Sequence, residues 1–94
     1  MTWRLVIAVK IQERLRTLPP KTKQYVRQAF REITQDPKSG KFLKEELEGF
    51  HSYKTGRFRI VYKIRSEAHV IEVLGIGRRE TIYAEVAELA YAHV

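Results

Sequence analysis

The order of apolar periods along this chain predicts an α+β domain, a small and mostly antiparallel sheet with an N-terminal helical hairpin packed on one face. Three observations carry the prediction. Apolar residues recur at every second position, then at every third or fourth, then again at every second. Pro19 and Pro20 separate two stretches of helical period, as expected where one helix must end and another begin. Short turn sequences then divide residues 50–79 into three extended runs, and strands joined by so few residues pair antiparallel. The predicted order is β-α-α-β-β-β-α. All 94 residues form one domain, 1–94, because a single core typically serves about 100–150 residues.

Each element has its own justification. Trp3, Leu5 and Ile7 alternate with Arg4, Val6 and Ala8, which predicts a strand apolar on both sides. Ile11, Leu15 and Leu18 have the i, i+4, i+7 spacing of a short helix that Pro19-Pro20 ends. Pro20 suits the first turn of a second helix, whose stripe is Tyr25, Val26, Ala29, Phe30 and Ile33. Pro37 disfavours the helical region at Asp36 and stops it. Residues 41–49 hold Phe42, Leu43 and Leu47 without a clear period, compatible with a partial helical turn or an irregular segment. Phe50 to Lys54 then reads as a strand and Thr55-Gly56 as a tight turn. Phe58, Ile60, Tyr62 and Ile64 alternate with Arg57, Arg59, Val61 and Lys63, which places Arg57, Arg59 and Lys63 on one face. Val70 to Ile76 is nearly continuous in apolar residues, as a central strand requires. Gly75 and Gly77 mark its end. Ile82, Val86 and Leu89 define a last helix from Glu80 to Tyr91. Tyr25 and Tyr62 are expected to serve packing, and Trp3 the core.

Charge narrows the partner. Eighteen basic against eleven acidic residues leave +7, and residues 51–79 alone hold +5 while residues 80–94 hold −3. A cationic stretch beside an acidic tail points to a polyanion. With helices on one face only, the strand face bearing Arg57, Arg59 and Lys63 would be a free basic platform with Gly77-Arg78-Arg79 at its edge. There is no cysteine, hence no disulfide framework, and His51, His69 and His93 lack metal-ligand spacing. No cofactor or metal is expected. The apolar start of the chain is too short for a membrane span and has no leader-like h-region, so the expected location is the cytoplasm and no membrane partner is expected.

Several segments resemble the RelE/ParE superfamily of bacterial type II toxins. These are Tyr53 to Tyr62, Val73 to Glu80 and Ile82-Tyr83, together with the Leu15-to-Pro19 join, Asp36-Pro37 and Leu47-Glu48-Gly49. The resemblance implies the same fold and, for RelE-like members, ribosome-dependent cleavage of mRNA. ParE-like members poison DNA gyrase instead, and a catalytically inactive nucleic-acid-binding form of the fold is a third possibility. Carried over by position, Arg59, Arg79 and Tyr83 fall on RelE-type active-site positions and Lys54 on a basic one. The chain departs from RelE just upstream, where Phe50, His51 and Ser52 stand in place of additional lysines. The resemblance further implies a cognate antitoxin, contact with ribosome and mRNA, operator DNA reached only through the antitoxin complex, and self-association when the antitoxin is absent.

RNA cleavage through the 2′-hydroxyl needs a base, cations for the phosphorane and an acid for the 5′-oxygen. Arg59 and Arg79 suit the cationic role, since a guanidinium holds two phosphate oxygens at once. Tyr83 would stack on a base or orient the phosphate. Lys54 is the candidate base, provided neighbouring cations favour its neutral amine, and Arg57, Lys63 and Arg78 are candidate RNA contacts.

Overall fold

The computed structural model describes residues 3–92. The elements in chain order are β1 (Arg4–Ile7), α1 (Val9–Arg16), α2 (Pro20–Gln35), β2 (Lys41–Phe42), β3 (Phe50–Thr55), β4 (Phe58–Arg65), β5 (Val70–Arg78) and α3 (Arg79–Ala92). Short 3-10 turns at Pro37–Ser39 and Glu45–Leu47 flank β2. The five strands lie in the order β1-β5-β4-β3-β2. Only the β1–β5 pair is parallel, with Arg4 beside Val70 and Ile7 beside Val73.

The α+β class, the helical hairpin and the meander are as the sequence predicts. One expectation is corrected: helices cover both faces. On one side α1 and α2 bury Ile11, Val26, Ala29 and Ile33 against Ile60, Tyr62, Ile71, Val73 and Ile76. On the other, Ile82 and Val86 of α3 close over Val61, Phe50 and Leu47. The face that carries Arg59 and Lys63 is therefore partly roofed by the last helix.

A β-bulge makes this possible. Val61 pairs with Gly75 while Tyr62 pairs with Val73, which leaves Leu74 as an extra residue on β5. Before the bulge the odd positions Ile71 and Val73 face the hairpin; after it the even position Ile76 does. An inserted residue exchanges the two faces of a strand downstream of it. Gly75 and Gly77 are thereby turned toward α3.

At the far edge, residues 41–49 form the two-residue β2 and a 3-10 turn, with Leu47 buried. β1 is an edge strand, and Val6 is 40% exposed rather than covered on both sides. Tyr25, expected to pack, is 48% exposed, whereas Trp3 packs against the core and stacks on His69.

Tyr62 ties the end of α2 to the sheet. Its hydroxyl donates to the Pro37 carbonyl at 2.6 Å and accepts from the Gly40 N–H at 3.1 Å. The ring is fully buried, and a Cβ at Gly40 would lie 2.5 Å from the Tyr62 oxygen, so only glycine fits there. His51, the cross-strand partner of Tyr62, stacks on its ring at 5.4 Å and meets Phe42 edge-on. Its Nδ1 is buried without a hydrogen-bond partner. Burial, with Lys38 nearby, holds its pKa below the ordinary 6.5.

Two outcomes follow. Tyr62→Phe strands the buried Pro37 carbonyl and the half-buried Gly40 amide and should cost about 1–3 kcal/mol, a fall in Tm of roughly 4–8 °C per kcal/mol; an unchanged melting curve would contradict the role given to the hydroxyl. For His51 the depressed folded pKa means that the unfolded chain takes up the proton more readily. Its contribution is complete above 6.5 and is lost as pH falls through that value toward the folded one. Between about pH 7.5 and about 5.5, wild-type Tm should drop more than that of His51→Phe, and parallel curves would refute the assignment.

Candidate functional site

The α3 side of the sheet carries a row of cations. Lys54 of β3 pairs with Arg59 of β4, and Arg59 with Gly77 of β5. Directly opposed residues of neighbouring strands stand about 5 Å apart, and like charges so placed destabilise a sheet. Two residues beyond Gly77 the chain passes without a loop from β5 into α3, so Arg78 closes the strand and Arg79 opens the helix. A cation in the first turn opposes the helix dipole. Lys54, Arg78 and Arg79 are exposed and Arg59 is half-buried, held in part by a bond from its guanidinium to the Phe58 carbonyl. Neither ion pair among the described residues, Arg14–Glu85 or Arg65–Glu72, involves these four. Lys54, Arg59 and Arg79, cations on the α3 side that make no ion pair among the described residues, form an arrangement suited to an anion.

Gly75 sets how closely the helix approaches. A Cβ there would lie 2.8 Å from Ile82 Cδ1 and 2.8 Å from Val86 Cγ2, so α3 rests where a side chain would otherwise stand. Ile82 and Val86 are thereby fixed against the sheet, and Tyr83 between them lies half-buried along the same cluster. Its hydroxyl meets Ser52 Oγ at 3.0 Å. Alternation along β3 puts Phe50, Ser52 and Lys54 on this same face, so Tyr83 borders the cationic row through Ser52. Arg14 of α1 reaches round the sheet to donate to the Ile76 carbonyl at 2.8 Å and to pair with Glu85 of α3 at 3.1 Å. That contact bridges α1, β5 and α3.

The structure thus brings Lys54, Arg59, Arg79 and Tyr83 to one end of the sheet on the α3 side; Arg78 lies at the same end but, paired with Phe58 and two residues past Ile76, takes the hairpin face. The fold does not bring Lys63 there. Four residues along β4 from Arg59, about 13 Å at strand rise, Lys63 pairs with Phe50 and holds its ammonium 5.5 Å from that ring. Arg57 is not in the strand: Gly56, at φ +59°, and Arg57 form the exposed hairpin turn. His51 points to the hairpin side, away from the row. Two contributors escaped sequence reading. Ser52 could have been found from its alternation with Lys54, but Arg14 carried no signal, because its partners lie 62 and 71 residues away. Among the described residues no group of three or more acidic, histidine or cysteine side chains could hold a metal, and no helix is long and apolar enough to cross a membrane.

Fold and site together define a small basic α+β domain whose cationic end lies where the last helix leaves the sheet. Residues 5–87 match the family described as ParE-like toxin of type II bacterial toxin-antitoxin system, and the chain belongs to that family. Toxin RelG of Mycobacterium tuberculosis is 34% identical over 71 residues, 73% of this chain and 82% of that protein. Toxin RelE of the same organism is 43% identical over 44 residues, 47% of this chain, and the match spans 45% of that relative, less than half its length. The toxin-antitoxin complex RelBE2 of M. tuberculosis contains a chain that superposes with a TM-score of 0.75 at 27% identity, covering 84% of this chain and all of that one (100%).

Proposed function

We propose that this chain is a toxin that cleaves translated mRNA on the ribosome, in the cytoplasm, and that a cognate antitoxin silences it. The observation that carries the reading is the gathering of Lys54, Arg59 and Arg79, none of them in an ion pair among the described residues, beside Tyr83 at the head of α3. The 2′-oxygen attacks the adjacent phosphorus, the bond to the 5′-oxygen breaks, the departing oxygen takes a proton from water, and a 2′,3′-cyclic phosphate and a free 5′-hydroxyl result. Charge on the phosphorane is what Arg59 and Arg79 meet, from two different elements, so that both sides of the phosphate are held. Lys54, opposite Arg59, takes the proton of the 2′-hydroxyl only through the neutral form of its amine, and Arg79 faces the leaving oxygen. Tyr83 presents its ring for a base to stack on. A small domain with an open row of cations grips phosphate but does little to orient an RNA strand, and the ribosome supplies that positioning. An antitoxin is supported by the RelBE2 complex, in which the similar chain is found with its antitoxin.

The family description favours a second reading, since it names ParE. A ParE-like gyrase inhibitor binds a protein and has no need of the cationic set. Primer extension on a translated reporter mRNA separates the two. The wild-type chain should give cuts that follow the reading frame, and Arg59→Ala or Arg79→Ala should reduce them about 10²–10³-fold. Growth arrest by both variants without any mRNA cuts would instead favour the gyrase reading.

A further inference from the structure

We propose that Ser52 is a positioning residue for Tyr83, holding the phenol so that its own proton is donated to an RNA phosphate oxygen; this rests on the endoribonuclease reading. Ser52 is buried, at 5% exposure, and besides that of Tyr62 its hydroxyl is the buried side-chain hydroxyl of the sheet among the described residues. Its hydroxyl is 3.0 Å from that of Tyr83. A buried hydroxyl is costly unless bonded, and this one is bonded across from β3 to α3 rather than within its own strand.

The pair contains two hydrogens and one bond, so one proton is left over. In the free protein either oxygen can donate. An anion placed in the cationic row accepts only, and it selects the arrangement in which Ser52 donates to Tyr83 and Tyr83 donates to the anion. Hydrogen bonds in such a chain polarise one another, so the Ser52 dipole strengthens the outer donor. Packing acts at the same time on the ring, which lies along the cluster of Val61, Phe50, Ile82 and Val86. The phenol is thus held at its face by apolar contact and at its tip by one hydroxyl. This deepens the role of Tyr83 from a stacking surface to a stacking surface with an aimed donor. Position 52 is also among the residues where this chain departs from the lysines of RelE, so the serine replaces a cation with an orienting contact.

The test is single-turnover cleavage on mRNA-programmed ribosomes, with melting curves recorded for every variant. Ser52→Ala should slow cleavage at saturating ribosome roughly 3- to 10-fold, the scale of one neutral hydrogen bond, without changing half-saturation. Ser52→Thr should recover most of the rate. In a Tyr83→Phe background, Ser52→Ala should cause no further loss, because the hydroxyl through which it acts is already gone. Wild-type speed in Ser52→Ala, or a loss that adds in full to that of Tyr83→Phe, would overturn the proposal. Arg79→Ala run alongside tells the two failures apart. If it is inactive while Ser52→Ala is not slowed, only the Ser52 proposal falls; if it cleaves like wild type, the endoribonuclease reading falls and takes the proposal with it.

Discussion

Leu74 has no partner across from it on β4, and that one extra residue decides which side of the sheet the end of β5 addresses. Without it Gly75 and Gly77 would face the helical hairpin and Ile76 would face outward. With it, the two glycines offer α3 a surface with no side chains, and Ile82 and Val86 close on Gly75 at a separation that no Cβ would allow. Because α3 follows β5 without a loop, fixing the helix also fixes Arg78 and Arg79 relative to Arg59 and Lys54. The bulge, the glycines and the position of the cations are successive consequences of one register shift.

Cations so close together work against the fold. Lys54 and Arg59 face each other across strands, and Arg79 sits at the positive end of a helix dipole. Each arrangement is unfavourable in isolation, and the stability to tolerate them comes from elsewhere. The hairpin side of the sheet buries Ile33, Ile60, Tyr62, Ile71, Val73 and Ile76 completely, and full burial of one such aliphatic side chain contributes about 1.5–3 kcal/mol. Arg14 adds a bridge from α1 to both β5 and α3. The molecule therefore divides its labour by face: the hairpin side supplies the larger core, the α3 side a smaller one beside Lys54 and Arg59, which α3 partly shields.

Much of this was legible in the sequence, and the exceptions have physical reasons. Periodicity gave the helical hairpin and the meander because those elements bury one stripe or one face each, and Pro19, Pro20 and Pro37 marked their limits. Residues 70–76 hid the bulge, since a strand buried on both faces has no alternation to interrupt. The missing alternation also concealed which face α3 would cover, so the expectation of a free basic platform failed at that point. Arg59 and Lys54 could be grouped from strand register alone. Lys63 followed the same parity yet lies too far along β4, which alternation cannot reveal because it reports the face and not the distance. The bond between Ser52 and Tyr83 depends on the docking angle of α3, a property of the packed molecule and of no segment alone.

The most direct measurement is a structure of this protein on a ribosome carrying an mRNA blocked by a 2′-O-methyl group at the cleavage position. The scissile phosphate should lie between the guanidinium groups of Arg59 and Arg79, with the Tyr83 hydroxyl on one of its oxygens and Lys54 beside the blocked 2′-oxygen. An mRNA bound along the exposed face of α1 and α2, with those four side chains left in solvent, would contradict the account.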